Sequence, residues 1–278
     1  MTEPSLAAQA GTVAIGGDLV VSRMGFGARW LHQQTADDAR ALLARALELG
    51  VNFIDTADVY GDGRSEEMLR EALHPYPGGL VIATKGGQVR GEDGPRANGR
   101  PEFLQRACEE SLRRLGLDVI DVYQLHSPDP DVPLEESLGA LNDLRAAGKV
   151  RHLGVSNLFR ARLESAASVV PIETVQNLFS LADRKNDPDV AWCETAGAAF
   201  VPYFPLAAGA LATVTGAIED VARSHRATPA QVSLAWLLDR SEIMLPIPGT
   251  RSLEHLEENV NAASLRLTEE DRQALTAD

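Results

Sequence analysis

Short runs of almost uninterrupted apolar residues alternate along the chain with longer segments in which apolar residues return every three or four positions. The first pattern belongs to strands buried on both faces, the second to helices that bury one stripe. Strand-like runs stand at MGFG (24–27), NFIDTA (52–57), LVIATK (80–85), VIDVYQLH (119–126), VRHLGVSN (150–157), TVQNLFS (174–180), AAFVPYFPL (198–206) and IMLPIPGT (243–250). Helical periodicity fills TADDARALLARALELG (35–50), SEEMLREAL (65–73), PEFLQRACEESLRRLG (101–116), LEESLGALNDLRAAG (134–148), LFRARLESAASV (158–169), DPDVAWCETAG (187–197) and TPAQVSLAWLLDR (228–240).

Punctuation supports these elements. Thr35, Ser65 and Thr228 stand where N-caps belong, Pro101 and Pro229 suit first-turn positions, and Gly50, Gly116 and Gly148 follow helices as C-terminal caps. Eight strands separated by helices predict an α/β fold, a closed (β/α)8 TIM barrel rather than an open doubly wound sheet. VAIGGDLVVS (13–22) precedes the alternation and predicts an N-terminal hairpin turning at Gly16 and Gly17, while SLRLTEEDRQALTAD predicts a C-terminal helical extension. Gly25 and Gly27 are followed by Ala28, Arg29 and Trp30, so the G-x-G-x-x-G dinucleotide fingerprint is missing after the first strand. No repeat or linker divides residues 1–278, and one barrel domain is expected.

Charge narrows the partners. Forty acidic against 26 basic residues give a formal net charge of −14, which disfavours nucleic acid and anionic membrane surfaces. Cys108 and Cys193 lack metal or redox spacing and read as buried fillers in a reducing compartment; no metal is expected. The first residues carry no signal-peptide pattern and no apolar window is long enough to span a membrane, so a cytoplasmic location is expected. No oligomeric state is read from the sequence.

In a barrel of this type chemistry sits where strands end, which singles out the polar residues that close apolar runs. Asp55 and Tyr60 follow the second strand, Lys85 the third and His126 the fourth. Taken singly, each has an ordinary reading: a turn residue, half-buried packing, a solvated cation, a satisfied polar group. Asp58 keeps that reading as a turn residue. Together the other four make a more specific set. A lysine after LVIAT is costly to bury without an anion, and Asp55 is the natural one. The resulting pair puts a positive charge beside the Tyr60 hydroxyl and favours proton donation from it, with His126 addressing the same oxygen.

Asp55, Tyr60, Lys85 and His126, in this order on successive strands, resemble the catalytic tetrad of the aldo-keto reductases. The segments NFIDTADVYGDGRSEEML, VIATKGG, DVIDVYQLHSPDP, KVRHLGVSN, TVQNLFS and LPIPGTRSLEHLEENV carry the resemblance from about Met24 to Asn261. It implies carbonyl reduction with NADPH, NADH being the less favoured cofactor, and a proton from Tyr60 to a small aldehyde or ketone. It further implies cofactor contacts at Asp55, at Ser156, Asn157 and Gln176 for the carboxamide, at Tyr203 for ring stacking, and at Phe204, Pro205, Leu206 and Gly209 along the pyrophosphate. Gly27 and Ala28 are lesser candidates for the same surface. Many relatives have Ser where Phe204 stands, which shifts phosphate contact toward backbone amides.

The last segment departs from the family pattern as well. Gly249 and His255 occupy positions that in many relatives are Lys and Arg gripping the 2′-phosphate, leaving Thr250, Arg251 and the helix N-terminus to hold it. Glu258 and Asn259 match the pair that reads the adenine. Substrate contacts are expected at Trp30 and Val59 and in the charged, Gly-rich stretch GGQVRGEDGPRANGR, with no long C-terminal specificity loop. VPYFPL, IPGT and HLEEN are similar to a bacterial branch that includes pyridoxal reductases, which implies a pyridoxal-like aldehyde as one candidate substrate. Two other readings compete. One is a cofactor-binding regulatory module resembling the β subunits of potassium channels. The other is a barrel lyase or isomerase using Lys85 as a Schiff base, which leaves Tyr60, Ser156 and Asn157 without a role.

Overall fold

The structure, a computed structural model, describes residues 5–91, 94–206 and 216–276. Its centre is a parallel sheet of seven short strands, in spatial order β11-β10-β9-β8-β5-β4-β3: β3 (Phe26–Gly27), β4 (Phe53–Asp55), β5 (Val81–Gly86), β8 (Ile120–Leu125), β9 (Val150–Ser156), β10 (Thr174–Gln176) and β11 (Ala199–Phe200). The expected eighth strand closes the ring without forming a regular ladder. Residues 243–249 run between the two edges: Leu245 N donates to Phe200 O at 2.8 Å, and Gly25 N donates to Pro246 O at 3.0 Å. Toward β11 the bonding runs both ways, since Phe200 N also donates to Ile243 O at 2.9 Å, but toward β3 Pro246 and Pro248 accept and cannot donate back, so that side is half bonded, as prolines at a sheet edge require.

Helices wrap the outside: α1 (Ala36–Glu48), α2 (Arg64–Leu73), α3 (Pro101–Leu115), α4 (Leu134–Ala146), α5 (Arg160–Val169), α6 (Asp187–Ala196), α8 (Pro229–Arg240) and α9 (Leu253–Asn261). Before α8 lies α7 (Ala217–His225), which the sequence pattern did not predict. Its apolar spacing, Ile218, Val221 and Ala222, is that of a helix, but Gly216 at the N-cap position gives no side-chain cap. Thr35 and Thr228 cap α1 and α8 as expected. Ser65 does not cap α2. It lies inside the helix, donates to Ala28 O at 3.0 Å and accepts from Thr56 Oγ1 at 2.9 Å, tying the loop after β3 to the loop after β4.

Two apolar layers hold this arrangement. The larger lies between strands and helices and includes Leu42, Leu104, Leu141, Val155, Phe179 and Trp236. The smaller fills the barrel's lower interior, where Phe53, Val81, Val122, Val201 and Leu245 meet Val13, Ile15, Leu19 and Val21 of a two-stranded hairpin, β1 (Thr12–Ile15) and β2 (Leu19–Ser22). The hairpin turns at Gly16 and Gly17, both at positive φ, and plugs the end of the barrel at which its strands begin. An eight-residue helix, α10 (Glu269–Thr276), forms the C-terminal extension. Among the described residues no helix is long and apolar enough to cross a membrane.

Candidate active site

Side chains alternate across a strand, so every second residue of each barrel strand faces the interior. Reading those positions upward, Phe53 gives way to Asp55, Val81 and Ala83 to Lys85, and Val122 to Gln124 and then His126. Asp55, Ser156 and Gln176 are the last residues of β4, β9 and β10, and pairing sets Gln176 beside Ser156 and Lys85 beside Gln124. An apolar floor and a polar mouth thus follow from strand register alone.

At the centre Lys85 is fully buried. Its Nζ donates to Asp55 Oδ2 at 2.6 Å and to Thr56 O at 2.7 Å. The other carboxylate oxygen, Asp55 Oδ1, accepts from Gln176 Nε2 at 2.9 Å and weakly from Gln124 Nε2 at 3.4 Å. Burial is the largest influence on Lys85 and lowers its pKa. Asp55, followed by Tyr60, outweighs that influence and leaves the value raised. The ammonium is therefore a fixed charge in the site.

Beyond Asp55 the chain stays alongside β5, with Thr56 N donating to Ala83 O and Asp58 N to Lys85 O, before it turns and carries Tyr60 back over the mouth. The Tyr60 ring centroid is 5.2 Å from Lys85 Nζ and meets the His126 ring edge-on at 6.0 Å. Burial first, then Lys85 and Arg29, hold the His126 imidazole well below its ordinary pKa, so the ring is neutral near pH 7. Its backbone is pinned on both sides: N donates to Gly86 O at 2.8 Å, and O accepts from Asn157 Nδ2 at 2.9 Å. Tyr60 and His126 line the cavity above them, and the buried Lys85 charge lies beside the Tyr60 ring, an arrangement that can stabilise negative charge on an oxygen atom held between the two rings.

Asn157 adopts φ 56°, a left-handed conformation, and its Oδ1 accepts from the Tyr203 hydroxyl at 2.8 Å. These groups face a cavity of about 490 Å³ whose lining includes Gly27, Trp30, Asp55, Tyr60, His126, Ser156, Asn157, Gln176, Tyr203, Phe204, Pro205, Leu206 and Gly249. Gly27 and Gly249 also serve closure. A Cβ on Gly27 would meet Ile247 O at 2.6 Å, and one on Gly249 would meet Gly27 O at 2.7 Å. A second cavity of about 440 Å³ shares Trp30, Tyr60 and His126 with the first and adds Val59.

Other expected positions lie off these linings. Ala28 is buried, its N donating to Asp55 O at 2.8 Å. Thr250 and Arg251 form the approach to α9: Ser252 N donates to Thr250 Oγ1, and Arg251 donates to Gln33 Oε1 at 3.0 Å. His255 is exposed on the first turn of α9, Glu258 accepts from the Thr228 hydroxyl, and Asn259 is buried. Gly209 lies outside the described residues. The sequence reading missed Gln124 and Arg29, and it named the stretch that holds Gln88 and Pro95 without singling the two out. Gln124 had a signal, a polar residue in the apolar run VIDVYQL. Gln88 and Pro95 sit on a hairpin, β6 (Gln88–Gly91) and β7 (Gly94–Ala97), inside the stretch read as a Gly-rich loop. Gly91 and Gly94, with two residues between them, were the available hint of that hairpin.

Comparison with known proteins bears on this arrangement. Residues 19–277 match the Aldo/keto reductase family. The chain belongs to that family. It is 45% identical over 272 residues to an uncharacterised oxidoreductase of Schizosaccharomyces pombe, with 95% of this chain and 88% of the relative covered. It is 41% identical over 268 residues to pyridoxine 4-dehydrogenase of Escherichia coli, covering 90% and 92% of the two chains. Among solved structures, an aldo-keto reductase from Klebsiella pneumoniae in complex with NADPH superposes with a TM-score of 0.82 at 31% identity, covering 95% and 93%. This aldo-keto reductase is accordingly an oxidoreductase with a (β/α)8 barrel.

Proposed function

We propose that the chain is an NADPH-dependent reductase of small aldehydes and ketones in which Tyr60 gives the proton. The observation that carries this reading is the fully buried Lys85–Asp55 pair beside the Tyr60 ring, with a neutral His126 on the other side. A charge of that kind in a dry site is costly unless it is used or compensated, and here it favours the phenolate that remains after proton transfer. Neutral imidazole is the form suited to donating a hydrogen bond to a carbonyl oxygen without competing as an acid. The arrangement is a preorganised oxyanion site.

The lining also fits a nicotinamide. A carboxamide needs both a donor and an acceptor, and Gln176, having given an amide N–H to Asp55, keeps its carbonyl oxygen as an acceptor on the same lining that holds Ser156. Asn157, held by Tyr203, frames the same corner, and the Tyr203 ring offers a stacking wall. When bound, the reduced nicotinamide supplies the hydride. This chain's residues orient the carbonyl, exclude water and deliver the proton from Tyr60 Oη. Thr250, Arg251 and the N-terminal amides of α9 are our candidates for the 2′-phosphate, and Glu258 and Asn259 for the adenine; the NADPH in the Klebsiella relative supports that cofactor.

The Escherichia coli relative's name supports a pyridoxal-like aldehyde as a candidate substrate. Buried Cys108 and Cys193, with burial pushing the Cys108 thiol to about 12, fit a reducing compartment such as the cytoplasm. The test is a panel of aldehydes and ketones, pyridoxal among them, assayed with NADPH and with NADH by the absorbance of the reduced nicotinamide. Turnover with NADPH is expected. Tight cofactor binding with no turnover of any carbonyl compound would turn the reading toward a regulatory module.

A further inference from the structure

Arg29, on the loop after β3, is exposed and lines both cavities, the 490 Å³ one that holds Ser156 and Gln176 and the 440 Å³ one beside it. Its guanidinium carbon lies 5.2 Å from the Trp30 ring centroid, 5.4 Å from that of Phe204 and 5.7 Å from that of Tyr60. Each is within cation–π range. Among the described residues Arg29 has no hydrogen bond and no carboxylate within ion-pair distance, although acidic residues outnumber basic ones by 40 to 26 in this chain. Among the described residues the two linings contain a single carboxylate, Asp55, and Lys85 and Gln176 already engage it.

Position adds to charge. Tyr60 and His126 line both cavities, so a carbonyl held between them leaves the rest of its molecule free to extend past Arg29 into the second. Held by ring faces and not by acceptors, the guanidinium keeps its N–H groups for a ligand, and their fork matches a carboxylate or phosphate. Arg29 also contributes to the depressed basicity of His126, which places its charge within electrostatic reach of the reacting oxygen.

Resting on the reductase reading above, we infer that the carbonyl substrate carries an anionic group, a carboxylate or a phosphate, and that Arg29 is the residue that selects it. Trp30 and Phe204 hold the guanidinium across the mouth, and the substrate's anion bonds to its free edge while its carbonyl meets Tyr60 and His126. Binding the anion at a fixed distance from the carbonyl makes Arg29 a specificity residue, with its effect concentrated in KM.

Two matched pairs test this in the full-length enzyme with saturating NADPH: 4-carboxybenzaldehyde against methyl 4-formylbenzoate, and pyridoxal 5′-phosphate against pyridoxal. For each pair the ratio of kcat/KM, anionic over neutral, is compared among wild type, Arg29→Met and Arg29→Lys. In Arg29→Met the ratio is expected to fall roughly tenfold to a hundredfold for at least one pair, mainly through KM, as loss of a charge-assisted contact does. Arg29→Lys should recover part of it. The pair whose ratio falls further names the anion. Ratios unchanged in Arg29→Met, with the aldehydes still reduced, overturn the inference and leave the reductase reading standing. A raised KM for NADPH with both ratios unmoved also overturns it, assigning the charge to the cofactor. Failure of wild type to reduce any of the four compounds removes the reductase reading, and this inference with it.

Discussion

A lysine cut off from water keeps its charge only if other groups replace the solvent, and Lys85 has an anion in Asp55 and a carbonyl in Thr56. Lys85→Met should therefore cost stability as well as activity, because Asp55 would remain buried with two amides as its only partners. Removing one partner of a buried pair typically costs about 3–5 kcal/mol, and the amides place the expectation at the low end. The Asp55→Asn/Lys85→Met double variant should lose less than the sum of the two single changes when urea midpoints are compared. Additive losses would mean that the pair is not coupled in the fold. Tyr60→Phe changes one oxygen atom in a half-buried ring, so the fold should persist while kcat on a good aldehyde falls about 10²-fold or more. A wild-type kcat with chemistry rate-limiting would remove Tyr60 as proton donor.

Asp58 is a different case at the same scale. Burial first, and Glu66 second, push its carboxyl from 3.8 up to about 7, and its Oδ1 is buried without a partner. A raised acid binds its proton more tightly in the folded than in the unfolded chain. Its contribution is therefore harmless below pH 4, and stability is lost as pH rises from about 4 to about 7. At pH 8 the penalty is on the order of 4 kcal/mol. Asp58→Asn should thus raise the urea midpoint clearly at pH 8 and little at pH 4.5. Equal midpoint shifts at the two pH values would show that the carboxyl ionises normally in the folded protein.

Among elements, legibility followed burial. Strands β5, β8 and β9 were readable because burial on both faces leaves no polar alternation, and the residues that close the runs, Lys85, His126 and Ser156, stood out against it. The eighth strand was readable as an extended run but not as one half bonded toward β3, since that depends on which neighbour its prolines face. Ser65 was misread because a hydroxyl at the start of a helix looks like a cap, whereas its partners, Ala28 and Thr56, are brought near only by the closed barrel. Arg29 was passed over for a related reason: the lack of an acid beside it is a fact of three dimensions. Glycine at 249 has a cause only in space, and Gly249→Ala should cost about 1–3 kcal/mol because the clashing atom is the backbone carbonyl of Gly27, which cannot swing aside. An unchanged urea midpoint would mean that the ring opens at Gly27 without cost to admit the methyl group.

At the scale of the molecule, the net charge of −14 opposes the approach of an anionic cofactor or substrate, while Arg29 and Arg251 near the mouth favour it. Ionic strength separates the two, because screening acts on distance. The Debye length is about 30 Å at 0.01 M salt, so the whole acidic surface is felt, and about 8 Å at 0.15 M, so only the nearest groups are. Association of NADPH should accordingly speed up as salt rises over this range, then level off or slow once the local arginines are screened too. Stopped-flow quenching of protein fluorescence gives the rate directly. A monotonic fall from the lowest salt would mean that the arginines at the mouth already dominate the field along the approach.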